Sequence, residues 1–177
     1  MTEVRTAHTA DLSPAALQAV RALLDDVFEG DFSDDDWDHS LGGVHVLVRE
    51  GSELVGHGSV VQRRLLHAGR ALRTGYVEAI GVHAEHRGLG HGATVMREVE
   101  RVLRGAYDVG ALSAAEEAEG FYAARGWERW RGPSGVMTPS GVQRTPDDDD
   151  GVHVLRLAVP LDLTRGLICD WRDGDVW

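Results

Sequence analysis

Residues 75–92 read GYVEAIGVHAEHRGLGHG. The first half is a strand-like apolar run that carries one acid, Glu78. The second half is a loop led by Arg87 and punctuated by Gly88, Gly90 and Gly92. Beyond it, Val95, Met96, Val99, Val102 and Leu103 recur at helical spacing. A strand therefore runs into a glycine loop that opens a helix. Glycines let the backbone approach a ligand closely. The free N–H groups at a helix start, with the helix dipole, suit a pyrophosphate, and Arg87 adds positive charge. A dinucleotide fingerprint would need a βαβ beginning and an acid about 20 positions on. Here the glycines follow a meander. Taken alone, such a loop is equally a plain strand-to-helix turn.

Upstream, Val44 to Glu50, Glu53 to His67 and Ala71 to Val82 read as three strands, with turns at Gly51-Ser52 and over 68–70. Ser13-Pro14 is a helix cap followed by proline at the first helical position. Leu17, Val20, Leu24, Val27 and Phe28 then predict an amphipathic helix over 14–28, ended by Gly30. Residues 31–40 are acidic, with Ser33 as the cap of a short helix carrying Trp37. Downstream, Val109 to Ser113 reads as a strand. Residues 114–124 read as a helix closed by Gly126. Trp127 to Trp130 begins another strand, 132–151 reads as a long loop of a kind that is often functional, and 152–160 reads as a strand again. With no repeat and no linker, the pattern gives one mixed α/β domain over 1–177.

The chain has 177 residues, a net charge of −11 and an isoelectric point near 5.2. Such a balance repels nucleic acid and anionic lipid and attracts cations. No apolar run approaches the ~20 residues that span a bilayer. The polar stretch 1–10 lacks the regions of a signal peptide, so a cytoplasmic protein is expected. The one cysteine, Cys169, excludes an intrachain disulfide and reads as a small packed residue. Nine histidines are scattered without a zincin-type pair, and no metal is expected. His83 and His86, bordering the glycine loop, read as surface residues.

Arg87-x-x-Gly90-x-Gly92 after that strand resembles motif A of the GNAT superfamily of N-acetyltransferases. Phe121-Tyr122-Ala123-Ala124-Arg125-Gly126-Trp127 resembles its motif B. The resemblance implies a mostly antiparallel central sheet flanked by helices, and acetyl-CoA as cosubstrate. Arg87, Gly88, Leu89, Gly90, His91 and Gly92 would hold the pyrophosphate. The strand before them would splay at a bulge, and the backbone of Ile80, Gly81 and Val82 would pair with the pantetheine arm. A backbone N–H near Ile80 would polarise the thioester carbonyl. Tyr122 would protonate the departing thiolate.

The likeness extends further. GDFSDDDWDHSLGG (30–43), VVQRRLLHAGRALRTGYVEAIGV (60–82), RGAYDVGALS (104–113), RTPDDDDGVHVL (144–155) and CDWRDGDVW (169–177) resemble the aminoglycoside 2′-N-acetyltransferases, which confer antibiotic resistance. By that resemblance the acceptor site falls on Asp31, Asp36, Glu78, the backbone of Ala79, Ser113, Asp148, Asp175 and the terminal carboxylate of Trp177. Two departures stand out. Gly90 and Gly92 are absent from some members, and Ala79 replaces a glycine found in some, so that its methyl group would narrow the pocket. Several carboxylates suit a polyammonium acceptor, because each hydrogen bond to a charged group is worth ~1.5–3 kcal/mol. Only a minority of the run Asp147 to Asp150 is expected to touch it. Glu78 is the expected general base and the Trp177 carboxylate its competitor. Two alternatives are another amine metabolite as acceptor and a non-catalytic module binding coenzyme A or cations. The resemblance also implies a homodimer, for which an apolar edge strand over 152–160 offers an interface.

Overall fold

The computed structural model describes all 177 residues, Met1–Trp177, as an α/β protein. The chain forms two compact units, one of residues 1–61 and 77–102, the other of residues 62–76 and 103–177.

In the first unit, β1 (Thr2–His8) pairs along its whole length with β2 (Val44–Glu50), which pairs antiparallel with the start of β3 (Glu53–His67). β1 is a strand that the sequence conceals. Its side chains are almost all exposed, and its ladder with β2, not an apolar face, defines it. Helix α1 (Pro14–Val27) starts where Ser13 accepts from the Ala16 N–H, and α2 (Asp34–His39) starts at Ser33 with a reciprocal capping box. Leu12, Val20, Leu24, Phe32 and Leu47 form the core between them. The last part of β4 (Arg70–Val82) and most of α3 (His91–Ala106) complete this unit. Val95, Met96 and Val99, the residues at helical spacing, are fully buried.

The second unit is built on a sheet of order β6–β9–β5–β4–β3–β10–β7–β8, to which β3 and β4 give only the hairpin arms 62–67 and 70–76. The other strands are β5 (Val109–Ser113), β6 (Glu128–Arg129), β7 (Ser134–Thr138), β8 (Gly141–Arg144), β9 (Val152–Arg156) and β10 (Leu167–Asp170). β4 with β5 and β10 with β7 are parallel; the rest of the ladders are antiparallel. Tyr76, Trp127, Trp130, Leu155 and Leu167 are among its buried residues, and Cys169 is fully buried as expected.

Three expectations change here. The stretch 132–151 is not a loop throughout: it holds the β7–β8 hairpin and a short 3-10 turn, Pro146–Asp148. The helix over 114–124 shrinks to a 3-10 turn, Glu116–Ala118, and the short α4 (Glu119–Ala123), neither with a side-chain cap. β9 ends at Arg156 and is no edge, since it pairs with β5 on one side and with β6 on the other. The proposed interface strand is therefore covered within the chain.

Candidate active site

The glycine loop is built as its sequence suggests. After β4 ends, His83 caps a 3-10 turn, Ala84–His86, by accepting from the Glu85 N–H at 3.3 Å. Arg87 Nε then donates to the Val82 carbonyl at 3.3 Å, and the side chain remains exposed. Gly88 (φ 76°) and Gly90 (φ 87°) take left-handed conformations with open space where a Cβ would be. Glycine is thus required by the backbone path, not by crowding. Helix α3 begins at His91, so the first-turn N–H groups of His91 and Gly92 have no acceptor within the helix. The His91 side chain is buried, 3.9 Å from Glu50, so only its backbone faces the loop, while Leu89 projects outward. Open space, free donors, a helix dipole and one cation fit a diphosphate.

Glu53, His83 and His86 bring three possible ligand atoms within 4.8 Å of one another. His83 Nδ1 accepts from the Glu85 N–H, and its Nε2 lies 3.5 Å from Asp26 Oδ2.

The backbone of β4 leaves ordinary strand geometry at Ala79, whose φ of 52° is left-handed. An alanine there costs about 1–2 kcal/mol relative to its ordinary conformations. Residues 78–80 accordingly lose the in–out alternation of the strand, and all three are half-buried. The Ala79 carbonyl accepts from His57 Nδ1 at 2.8 Å, and the Glu78 carbonyl from Ser59 Oγ at 3.3 Å. The Ala79 methyl packs against the Leu12–Leu47 core. It fills core space, so the expected narrowing of a pocket does not follow. Gly81 lies close to α1, where a Cβ would sit 3.1 Å from Val27 and 3.4 Å from Leu24.

The two acids of the 31–40 segment differ. Asp31 is exposed after α1. Asp36 Oδ2 accepts from the Ser33 N–H and hydroxyl, both at 2.8 Å, so this carboxylate first caps α2 and has Oδ1 left for a ligand. Asp34, beside it, is bound to Arg21 at 3.1 Å.

In the second unit the structure brings four of the expected acceptor residues together. Ser113 ends β5, and a Cβ on Gly151 would lie 3.2 Å from its hydroxyl and 3.7 Å from the Asp148 carbonyl. The Asp148 carboxyl bonds Thr145, whose hydroxyl accepts from the Trp177 indole N–H at 2.9 Å. The Trp177 backbone N–H donates to Asp175 Oδ1 at 3.1 Å. Burial, and then the negative charge of Asp175, push the Asp148 carboxyl above the usual carboxylate range. Asp149, in contrast, is committed to structure. It accepts from Arg144 and from the Ser134 N–H and hydroxyl, and is held well below that range, first by Arg144. Asp149 of the acidic run is therefore held by protein partners. Tyr122, on α4, is buried with its ring against Phe121 and Trp127. Burial raises its phenol pKa, which keeps the hydroxyl protonated.

Arg172 is a residue the sequence reading passed over. Its Nε donates to the Asp175 carbonyl at 2.7 Å and its Nη2 to the Trp177 main-chain oxygen at 3.2 Å, so it ties down the C-terminus. The signal was present: Arg172 is the one cation within CDWRDGDVW.

Residues 8–130 match the model of the acetyltransferase (GNAT) domain. An aminoglycoside 2′-N-acetyltransferase of Mycolicibacterium fortuitum is 51% identical over 98% of this chain and 91% of its own length. Among solved structures, the GNAT N-acetyltransferase YhbS of Escherichia coli, crystallised with CoA, has a TM-score of 0.67 at 17% identity and covers 97% of this chain and 90% of its own. Escherichia coli ElaA has a TM-score of 0.62 at 18% identity, over 87% of this chain and 99% of its own. At those identities the two structures speak for the fold. No helix is long and apolar enough to cross a membrane. With a domain match over most of its length, a close relative along nearly all of it and the glycine loop in place, the chain belongs to the GNAT acetyltransferase family.

Proposed function

We propose that this protein transfers the acetyl group of acetyl-CoA to the 2′-amino group of aminoglycosides, and that both units serve this one reaction as a single domain. The observation that carries the reading is the cluster of Asp148 and Asp175 with the C-terminus of Trp177, two carboxylates in mutual repulsion beside a chain terminus. Such a cluster favours a ligand with several ammonium groups. It lies beyond residue 130, where the general domain match ends, while the likeness to the Mycolicibacterium fortuitum enzyme covers 98% of the chain. The other acceptor contacts are assigned to Asp31, Asp36, Glu78, the backbone of Ala79 and Ser113.

Arg87 and the loop through Gly92 would hold the coenzyme pyrophosphate, and the backbone of Ile80, Gly81 and Val82 the pantetheine arm. The coenzyme supplies an activated acetyl thioester. Glu78 takes a proton from the acceptor ammonium, through water, so that the neutral amine can form the new C–N bond. As the C–S bond breaks, the Tyr122 hydroxyl delivers a proton to the sulfur, and the second proton that the nitrogen sheds as the amide forms passes to solvent, from which the phenolate is reprotonated. Much of the rate comes from holding both substrates together. The protein acts in the cytoplasm as a homodimer.

Thiol release from acetyl-CoA with two aminoglycosides tests the reading, one bearing a 2′-amine and the other a 2′-hydroxyl. Release with the 2′-amine alone is expected. Equal release with both would move the acetylated position, and release only with a simple polyamine would replace the acceptor class.

Asp148→Asn separates binding from folding. Because the folded carboxyl has a raised pKa, the folded state holds a proton that the unfolded chain has lost, and stability falls as pH rises through that window. Asparagine removes the penalty. The variant should melt about 1–3 °C higher at pH 7, while the KM for the aminoglycoside rises about tenfold or more. A lower melting temperature with unchanged KM would mean that Asp148 is structural.

A further inference from the structure

Two histidines that the acetyl-transfer scheme leaves unused lie in the interior of the first unit. His45, on β2, and His57, on β3, are both fully buried. His45 Nδ1 and His57 Nε2 are 2.9 Å apart, His57 Nδ1 is 2.8 Å from the Ala79 carbonyl, and Thr9 Oγ1 is 2.8 Å from His45 Nε2. The direction of every bond follows from the far end. A carbonyl only accepts, so His57 Nδ1 carries a proton. The ring is neutral, so its Nε2 accepts, and His45 Nδ1 must donate. His45 Nε2 then accepts from the Thr9 hydroxyl, and Thr9 Oγ1 accepts the Gly42 N–H at 2.9 Å. Each ring nitrogen in the chain has one partner of the right polarity. Burial lowers the pKa of His57 to about 3 and of His45 to about 4, so both are neutral at physiological pH.

Burying two imidazoles is expensive when apolar side chains of similar volume would fill the same space. What an apolar pair could not do is satisfy the Ala79 carbonyl. The Ala79 carbonyl is half-buried and takes its donor from the His57 ring, and the left-handed turn at Ala79 is strained for an L-residue and persists only where its surroundings hold it. We propose that His57 and, through it, His45 are positioning residues: their relay holds the Ala79 carbonyl, and with it the left-handed turn that presents the backbone of Ile80, Gly81 and Val82 to acetyl-CoA. The proposal rests on the coenzyme assignment made above.

The test has two arms. Nitrogen-15 NMR of the histidine rings in the intact protein at pH 7 is expected to show both in the Nδ1–H tautomer; either ring in the Nε2–H form overturns the relay. In the second arm, acetyl-CoA binding is measured by calorimetry for His57→Gln and His57→Leu, at temperatures well below their melting points. A glutamine can donate to Ala79 and accept from His45, and should stay within about threefold of the parent. Leucine fills the volume but leaves the carbonyl without a donor, and should raise the dissociation constant about tenfold. Equal binding by all three proteins, or equal loss in both variants, overturns the proposal. If the leucine variant does not fold, the tautomers and the glutamine variant still judge it. A parent that binds no acetyl-CoA overturns the coenzyme assignment as well, whereas a binding parent matched by the leucine variant overturns this inference alone.

Discussion

Tyr122→Phe should lower kcat about a hundredfold while leaving the acetyl-CoA dissociation constant within about threefold, since a positioned general acid contributes roughly 10²–10⁴-fold. The change removes one oxygen. The ring stays, and its contacts with Phe121 and Trp127, at 5.2 and 6.1 Å between centroids, are those of the hydrocarbon part. Folding should therefore be little altered. Chemistry should not be, because a thiolate leaving without a proton is a poorer leaving group in a dry site. The proton must come from a group that still holds it at the working pH. Burial raises the Tyr122 pKa, so the phenol is fully protonated across the neutral range. The same burial raises the energy of the phenolate formed on donation, so the residue must recover its proton from solvent within each turnover. A variant with parental kcat would remove Tyr122 from the chemistry and leave it as a packed aromatic. A lowered melting temperature in proportion to the lost activity would say the same.

The parts of the fold that could be read from the sequence are those whose signal is local. β2, β3 and β5 have the bounds expected, because runs of β-branched and apolar residues meet glycines or polar turns at both ends. α1 and α2 start where Ser13 and Ser33 announce them, since a cap acts within one turn of its helix. What escaped depends on partners distant in sequence. β1 has no apolar face and exists through its ladder with β2. β7 reads as loop because Gly135 is a weak strand former and Pro133 and Pro139 flank the segment, but β10 lies parallel to it and supplies its ladder. β9 stops early because Arg156 turns to bond the Leu161 carbonyl at 2.7 Å and Glu128. The site divides along the same line. The glycine loop and Tyr122 sit in contiguous motifs. Asp36 was read only as an acid, although the spacing Ser33-x-x-Asp36 carries the signal of the cap that the side chains form. His57 gave one hint, a histidine between Gly56 and Gly58 in an apolar strand, but its partner Ala79 lies on another strand. Arg172 stood in view in the tail, yet its bonds to Asp175 and Trp177 require a chain reversal that no periodicity encodes.

Glu78→Gln bears on the other proton. The substitution keeps size and hydrogen-bonding capacity but removes the ability to accept a proton, so kcat with an aminoglycoside should fall about a hundredfold or more. Acetyl-CoA binding should be nearly unchanged, because the coenzyme is assigned to backbone beyond this residue. The competing base is the Trp177 carboxylate. One of its oxygens already accepts from Arg172 Nη2 at 3.2 Å, and the Trp177 N–H is bound to Asp175, whose charge acts on Asp148, so under the proposed assignment an ammonium there would meet several acids. That environment favours binding the charged amine over discharging it. Glu78 is half-buried on β4, next to the left-handed turn at Ala79 and away from the C-terminal cluster in sequence. The pH dependence of turnover distinguishes the two. In the parent, rate should rise with pH as the base ionises and then level off. In Glu78→Gln that rise should shift to higher pH, following the amine itself, and aminoglycosides with a more acidic 2′-ammonium should lose less rate. If the variant keeps the parental profile at a uniformly lower rate, Glu78 positions the acceptor and the proton leaves by the C-terminus. Deleting Trp177 would then abolish the rise, whereas under the present assignment it chiefly raises the KM for the aminoglycoside.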